Sequence, residues 1–255
     1  MNLVRKTFQI IYALYAFSLF ILLMLIVFPL SLAASLRGKI KGGNFIYSIS
    51  RRWADVWMFL IGIRQENIYQ NPGSKKGPYI FVANHISYLD IPCLLKSSRP
   101  YRIRALGKFE MKKIPVFGFI YRSGAVMVDR GSPENRARTV EILKSALGKG
   151  ISIFIFPEGT FNETGKALKP FYDGAFRIAI ETQTPIRPLL FLDTYERMNY
   201  RSLFSINPGR ARTVFLDEIS VEGLKPGDLD SLKMKVYNAM ETTLIKYKVG
   251  WIARS

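Results

Sequence analysis

From Lys6 to Arg37 the chain carries no charged residue between the two, and Ile10 to Leu32 is almost wholly apolar. Such a run must be buried in protein or in lipid. As a helix it reaches across the roughly 30 Å of a bilayer's hydrocarbon. A cleaved signal peptide has a shorter apolar core, and although Ala33-Ala34-Ser35 resembles a cleavage site, a retained anchor is the expectation. Pro29 should kink or end the helix. Arg5 and Lys6 flank one end and Arg37, Lys39 and Lys41 the other, so the basic residues give no orientation. A full span and a re-entrant or monotopic insertion are both open.

Gly38 to Asn44 reads as a polar break. From Phe45 to Ile63 the residues Phe45, Ile49, Trp53, Val56, Trp57 and Leu60 recur at helical spacing, with Arg51, Arg52 and Asp55 elsewhere. This predicts a second, amphipathic helix. Tryptophans beside arginines suit a membrane interface, and with the apolar helix next door membrane contact is the expectation, a core helix the alternative. Gln70-Asn71-Pro72-Gly73-Ser74 is turn chemistry and divides membrane-anchoring helices (1–70) from a second unit (71–255).

In that second unit strands and helices alternate. Tyr79–Ala83, Ala125–Val128, Ile151–Phe156, Ile186–Leu192 and Thr213–Leu216 are apolar, β-rich runs. Ser132-Pro133-Glu134 combines an N-cap, a proline at the first helical position and an early acid, and opens a helix that ends near Gly148. Asp173 to Gln183 and Asp228 to Lys248 are further helices. The pattern predicts an α/β fold: a mixed, partly parallel sheet flanked by helices, with membrane-associated helices at the N-terminus.

The net charge is +18, which calls for an anionic partner. The basic residues are scattered in short groups that form no nucleic-acid motif, and beside an apolar anchor they point to an anionic membrane surface rather than nucleic acid. Cys93 is the only cysteine and His85 the only histidine, which excludes a disulfide framework and argues against a zinc site.

His85 lies in Asn84-His85-Ile86-Ser87-Tyr88-Leu89-Asp90. A five-residue offset turns a side chain about 140° away on a helix and to the opposite face of a strand. His85 and Asp90 therefore meet only across a turn, between the strand at 79–83 and a helix for which Ser87 is the expected N-cap. A histidine at a strand end is as often a hydrogen-bonded structural residue as a base. Two other segments follow candidate strands. Ser123 to Arg130 is an apolar strand delivering an arginine, and Phe154 to Thr160 is an apolar strand ending in a tight polar turn. Singly these are an ordinary surface pair and an ordinary turn; in this order they form a pattern.

That pattern resembles the glycerolipid acyltransferase family, specifically bacterial lysophosphatidic acid acyltransferases, over roughly Gly77 to Leu192. The family's His-x4-Asp motif matches His85 and Asp90. Its glycine–strand–arginine motif matches Gly124 to Arg130, and its Phe-Pro-Glu-Gly-Thr motif matches Phe156 to Thr160. Its proline-bearing fourth segment is similar to Thr184 to Pro188. Lys108 matches a lysine between the first two motifs. One departure stands out. Members commonly continue the third motif with Arg-Ser, where an arginine would help hold a phosphate; here Phe161-Asn162 follows.

The resemblance implies acyl transfer from an acyl-carrier-protein or coenzyme A thioester to a lysophospholipid hydroxyl, with lysophosphatidic acid the leading acceptor. No bound cofactor or metal is implied. His85 would be the general base and Asp90 its orienting partner. Lys108 and Arg130 would supply charge for a headgroup phosphate, and Glu158, Gly159 and Thr160 would bind substrate, Glu158 by gripping the glycerol or bracing Arg130. No acyl-enzyme is required, and neither Ser87 nor Cys93 is expected to act as a nucleophile. The implied location is the inner (cytoplasmic) membrane with the site on its cytoplasmic face. A lyso-ornithine or lyso-glycine lipid is the rival acceptor. A non-catalytic basic protein that binds membranes or nucleic acid would explain the charge but not the three ordered segments.

Overall fold

The computed structural model describes residues 3–38, 40–71, 77–99, 101–128 and 132–253. Two helices, α1 (Leu3–Ser35) and α2 (Lys41–Leu60), come first. They are followed by β1 (Ile63–Tyr69), β2 (Ile80–Ala83), α3 (Asp90–Ser97), β3 (Ile103–Lys108), α4 (Phe117–Gly124), β4 (Ala125–Val128) and α5 (Pro133–Gly148). The remainder is β5 (Ser152–Ile155), α6 (Gly174–Thr182), β6 (Ile186–Phe191), α7 (Thr194–Arg197), β7 (Gly209–Phe215) and α8 (Leu229–Lys246).

The seven strands form one mixed sheet in the order β1-β7-β6-β2-β5-β3-β4. Strands β2 to β6 run parallel to one another, and β1 and β7 run the other way. The central strands are continuous apolar runs because both faces are covered. Successive side chains alternate between two cores. Phe81, Phe154, Phe191 and Phe215 join Trp57, Met58, Cys93 and Leu94 on the side of α2 and α3. Ile80, Val82, Ile153 and Leu190 join Leu143, Phe176, Val236 and Met240 on the side of α5, α6 and α8. Ser132 caps α5 as its sequence predicts, its Oγ accepting from the Asn135 N–H at 3.1 Å.

The N-terminal region departs from the sequence reading in four ways. Residues 63–69, assigned there to the anchoring helices, are edge strand β1, paired with β7 over its whole length. The sheet therefore extends across the expected boundary at residue 70. Strand β1 carries no clear strand signal in the sequence because an edge strand with one neighbour exposes polar residues such as Arg64, Glu66 and Asn67. Of the two outcomes expected at Pro29, a kink or an end, the end does not occur: helix α1 runs through it to Ser35. Helix α2 begins at Lys41, inside the expected break. Its Gly42 lets the two helices touch, since a Cβ there would sit 2.3 Å from the Ala34 carbonyl oxygen. Finally, the α2 tryptophans are core residues. Trp57 is 1% exposed, its Nε1 donates to the Ala16 carbonyl at 2.9 Å, and Phe20 of α1 packs edge-on against both indoles.

Candidate active site

Parallel strands bring their C-terminal ends to one rim of the sheet, and the loops that leave this rim are the natural place for a site. Strand β2 ends at Ala83. The Asn84 amide then bonds the Phe191 peptide group twice, Nδ2 donating to its carbonyl at 3.0 Å and Oδ1 accepting from its N–H at 2.9 Å. This fixes the chain where His85 leaves the sheet. A turn follows, and α3 starts at Asp90. Ser87 is not its N-cap. The Ser87 hydroxyl accepts from the Leu89 N–H at 3.0 Å and donates to the Met198 carbonyl, tying the turn to the loop after α7.

Asp90 is fully buried and its carboxylate is saturated. Oδ2 accepts from His85 Nδ1 at 2.8 Å and from the backbone N–H groups of Ile86 and Ser87 at 2.8 and 2.9 Å. Oδ1 accepts from Thr194 Oγ1 at 2.6 Å. A carboxylate only accepts, so the imidazole proton sits on Nδ1 and the Nε2 lone pair is left free. The ring is stacked on Phe156 at 3.8 Å between centroids and flanked by Phe161 at 4.3 Å. Its side chain is 16% exposed, enough to reach a bound ligand and little enough to be held in place.

The loop after β5 clasps the same histidine. Gly159 adopts φ +75°, a conformation that suits glycine, and its N–H donates to the Phe156 carbonyl at 3.0 Å. The Glu158 side chain turns inward and the residue is 1% exposed. Oε1 accepts from the His85 N–H at 2.9 Å and Oε2 from the Lys169 N–H at 2.8 Å. Burial pushes its pKa up to about 7 against the pull of these two amides. Glu158 thus braces His85 and the loop at 169 through both carboxylate oxygens. Thr160 is exposed, with its Oγ1 accepting from Lys169 Nζ at 2.5 Å.

Asn162 completes the clasp. Its N–H donates to the His85 carbonyl at 2.8 Å, and its buried side chain bonds Thr164, Lys166 and Ala167. Asn162 and Lys169 are site residues that sequence reasoning missed. The Asn-x-Thr turn signal at 162–164 was legible, but its attachment to His85 was not.

Ala105 of β3 lies opposite Phe154, so Lys108, three residues on, leaves the sheet at the same rim; it pairs in register with Val128, the last residue of β4. Arg130 lies outside the described residues. The fourth segment is at the other end. Ile186 is opposite Ile80, and Arg187 is buried beside the rings of Tyr79 and Phe215, donating to Tyr101 Oη at 3.0 Å. Cys93 is fully buried, and burial pushes its thiol pKa up, away from thiolate character. With Ser87 also buried and bonded, neither is an accessible nucleophile. Among the described residues, no three His, Cys, Asp or Glu side chains gather as metal ligands. The arrangement can take a proton from a hydroxyl that approaches Nε2.

Known proteins are similar to this chain, some in sequence and one in its solved fold. The 1-acyl-sn-glycerol-3-phosphate acyltransferase alpha of Mus musculus is 30% identical over 186 residues, which cover 72% of this chain and 65% of that protein. The chloroplastic enzyme BAT2 of Brassica napus is 31% identical over 67% of this chain, and the match spans 49% of its own length. The 1-acyl-sn-glycerol-3-phosphate acyltransferase of Haemophilus influenzae is 28% identical over 76% of this chain and 79% of its own. The crystal structure of the 1-acyl-sn-glycerophosphate acyltransferase PlsC from Thermotoga maritima superposes with a TM-score of 0.74 at 20% identity, over 98% of this chain and 99% of that one. It shares the fold. The acyltransferase family model matches residues 61–192, from the start of β1 to the end of β6 and across the His85, Asp90 and Glu158 loops, and the chain belongs to that family.

Proposed function

We propose that this chain transfers a fatty acyl group from a thioester to the free hydroxyl of a lysophospholipid, with lysophosphatidic acid the principal acceptor and phosphatidic acid the product. The observation that carries the reading is the His85 Nδ1–Asp90 Oδ2 bond of 2.8 Å, which leaves Nε2 unprotonated at the rim of the sheet. Nε2 takes the proton of the acceptor hydroxyl as its oxygen attacks the thioester carbonyl carbon. Asp90 stabilises the imidazolium. The carbon–sulfur bond then breaks, and the thiolate leaves with the proton that Nε2 returns. Transfer is direct, in keeping with the buried Ser87 and Cys93. The donor is an acyl-carrier-protein or coenzyme A thioester, and Lys108 and Arg130 bind the acceptor's phosphate.

The geometry of α1 supports attachment to one face of a membrane, which we assign to the cytoplasmic side of the inner membrane. Ala13, Ala16, Met24, Val27 and Ala34 are buried, while Leu14, Ile21, Leu22, Leu25, Ile26, Leu30 and Leu32 are exposed. The packed stretch from 13 to 34 is about 32 Å long at 1.5 Å per residue. A helix held over that length against α2, which lies on the sheet, cannot cross the bilayer without carrying the sheet into it. We therefore favour monotopic insertion with the outer stripe in lipid.

Phe161 beside His85 favours one rival, a lyso-amino-acid lipid acceptor that lacks a phosphate. An acceptor panel with purified protein separates the two: lysophosphatidic acid, other lysophospholipids and lyso-ornithine or lyso-glycine lipid, each with both thioesters. Turnover on lysophosphatidic acid that falls by about 10²–10⁴ in His85→Ala is the expected result. Turnover on the amino-acid lipids alone would replace the acceptor, and full thioester consumption by His85→Ala would remove the mechanism.

A further inference from the structure

Lys169 is eleven residues beyond Glu158, outside every motif singled out in the sequence, yet the fold returns it to the third-motif loop. Its N–H is fixed on Glu158 Oε2 at 2.8 Å, and the same carboxylate holds the His85 N–H. Its side chain runs back along the loop and places Nζ 2.5 Å from Thr160 Oγ1 and 3.3 Å from the Phe161 carbonyl oxygen. Thr160 is exposed, and the Phe161 ring touches His85. The ammonium thus lies on the rim of the site, one residue's breadth from the base.

Its bonding is incomplete in a particular way. An ammonium has three N–H donors, and the two contacts here are to uncharged oxygens, so one donor is unspent, and the charge is met only at longer range by the buried Glu158 carboxylate. None of the ion pairs among the described residues includes Lys169. Glu158 accepts its backbone N–H, but it is buried and shared with His85. Two neutral acceptors that aim a cation without an ion-pair contact along an exposed edge make a receptor for an anion. In a 1-acylglycerol 3-phosphate the phosphorus lies two carbons and one ester oxygen beyond the hydroxyl, so a hydroxyl at His85 Nε2 leaves the anionic end free to turn toward that edge.

We propose that Lys169 binds the acceptor's phosphate, supplying at the loop of Thr160 and Phe161 the positive charge that residue 161 itself does not carry. The inference rests on the lysophospholipid reading above. A thioester donor also carries phosphate, on its pantetheine arm, so the test must tell the two sources apart.

The test uses the full chain with Lys169→Met and Lys169→Arg, and lysophosphatidic acid and the thioester varied in turn. Lys169→Met should raise the KM for lysophosphatidic acid at least tenfold, with kcat and the thioester's KM within about threefold of wild type, and glycerol 3-phosphate should inhibit it at least tenfold more weakly. Lys169→Arg should recover most of the affinity. A lysine that only braces the loop would lower kcat instead, because Phe161 and Asn162 touch His85, and that pattern overturns the proposal. A rise confined to the thioester's KM overturns it in favour of the donor. So does an unchanged KM for both. Wild-type protein inactive on lysophosphatidic acid would defeat the functional reading itself, and with it this one.

Discussion

Asp90→Asn separates the charge of the dyad from its geometry unusually cleanly in this fold. In many histidine–aspartate pairs an asparagine can rotate and present its amide nitrogen to the ring, which forces the wrong tautomer. Here the position of Oδ2 is shared by three donors, His85 Nδ1 and the N–H groups of Ile86 and Ser87. Only the amide oxygen satisfies them, so Nδ2 must take the Oδ1 position and donate to Thr194 Oγ1, whose hydroxyl can turn to accept. The tautomer and the turn survive, and only the negative charge is lost. At about 4 Å between charge centres and an effective dielectric near 20, the lost attraction to imidazolium is about 4 kcal/mol, with part retained by the amide dipole. That corresponds to a fall in kcat of about 10²–10³. Replacing charge-assisted bonds by neutral ones should cost roughly 1–3 kcal/mol of stability. Thioester consumption at saturating acceptor and a urea titration of the same preparation measure the two. Should kcat fall less than threefold while the fold persists, imidazolium does not form in the rate-limiting step and the base is elsewhere.

Glu158→Gln cannot accept from both the His85 and Lys169 N–H groups, and should cost about 1–3 kcal/mol and lower kcat. It also has a pH signature. The folded state raises this carboxyl from its usual 4.5 to about 7. The stability it contributes is therefore complete below pH 4.5 and is lost as pH rises through 7. Urea titrations should show wild type exceeding Glu158→Gln by more at pH 5 than at pH 8; a gap that widens with pH contradicts the assignment. A chain that begins at Asn71 lacks β1 and α2, and with them Trp57, Met58, Ile61 and Ile63, all 2% exposed or less. It should show no cooperative melting transition, and a sharp one would mean that the sheet folds without that layer.

The pairing of His85 with Asp90 was legible because both ends lie in one short segment and only a turn can close it. The central strands were legible because burial on both faces demands unbroken apolar runs. Strand β1 was not, since an edge strand carries the polar residues of a loop. The setting of Glu158 was hidden for a different reason. A carboxylate at a strand end is the same letter whether it faces a ligand or two backbone amides, and only three-dimensional packing makes it 1% exposed. The tryptophans of α2 carry one signal at a lipid interface and in a protein core, so membrane contact was the wrong expectation, and Phe20 on α1 shows them to be core. Lys169 and Asn162 could not be placed because a loop's return path is set by contacts that local spacing does not encode.

The peptide groups around His85 are committed on every side: its N–H to Glu158, its carbonyl to Asn162, its ring to Asp90 and Phe156. Three loops would have to come apart before this residue could drift. The freedom that a base in solution surrenders at each encounter is here given up once, when the chain folds, and every later turnover starts from a ring already aimed. Rate and robustness then share one set of bonds. A variant that loosens the rim far from any ligand should reveal itself first as a slower reaction and only on heating as a weaker protein.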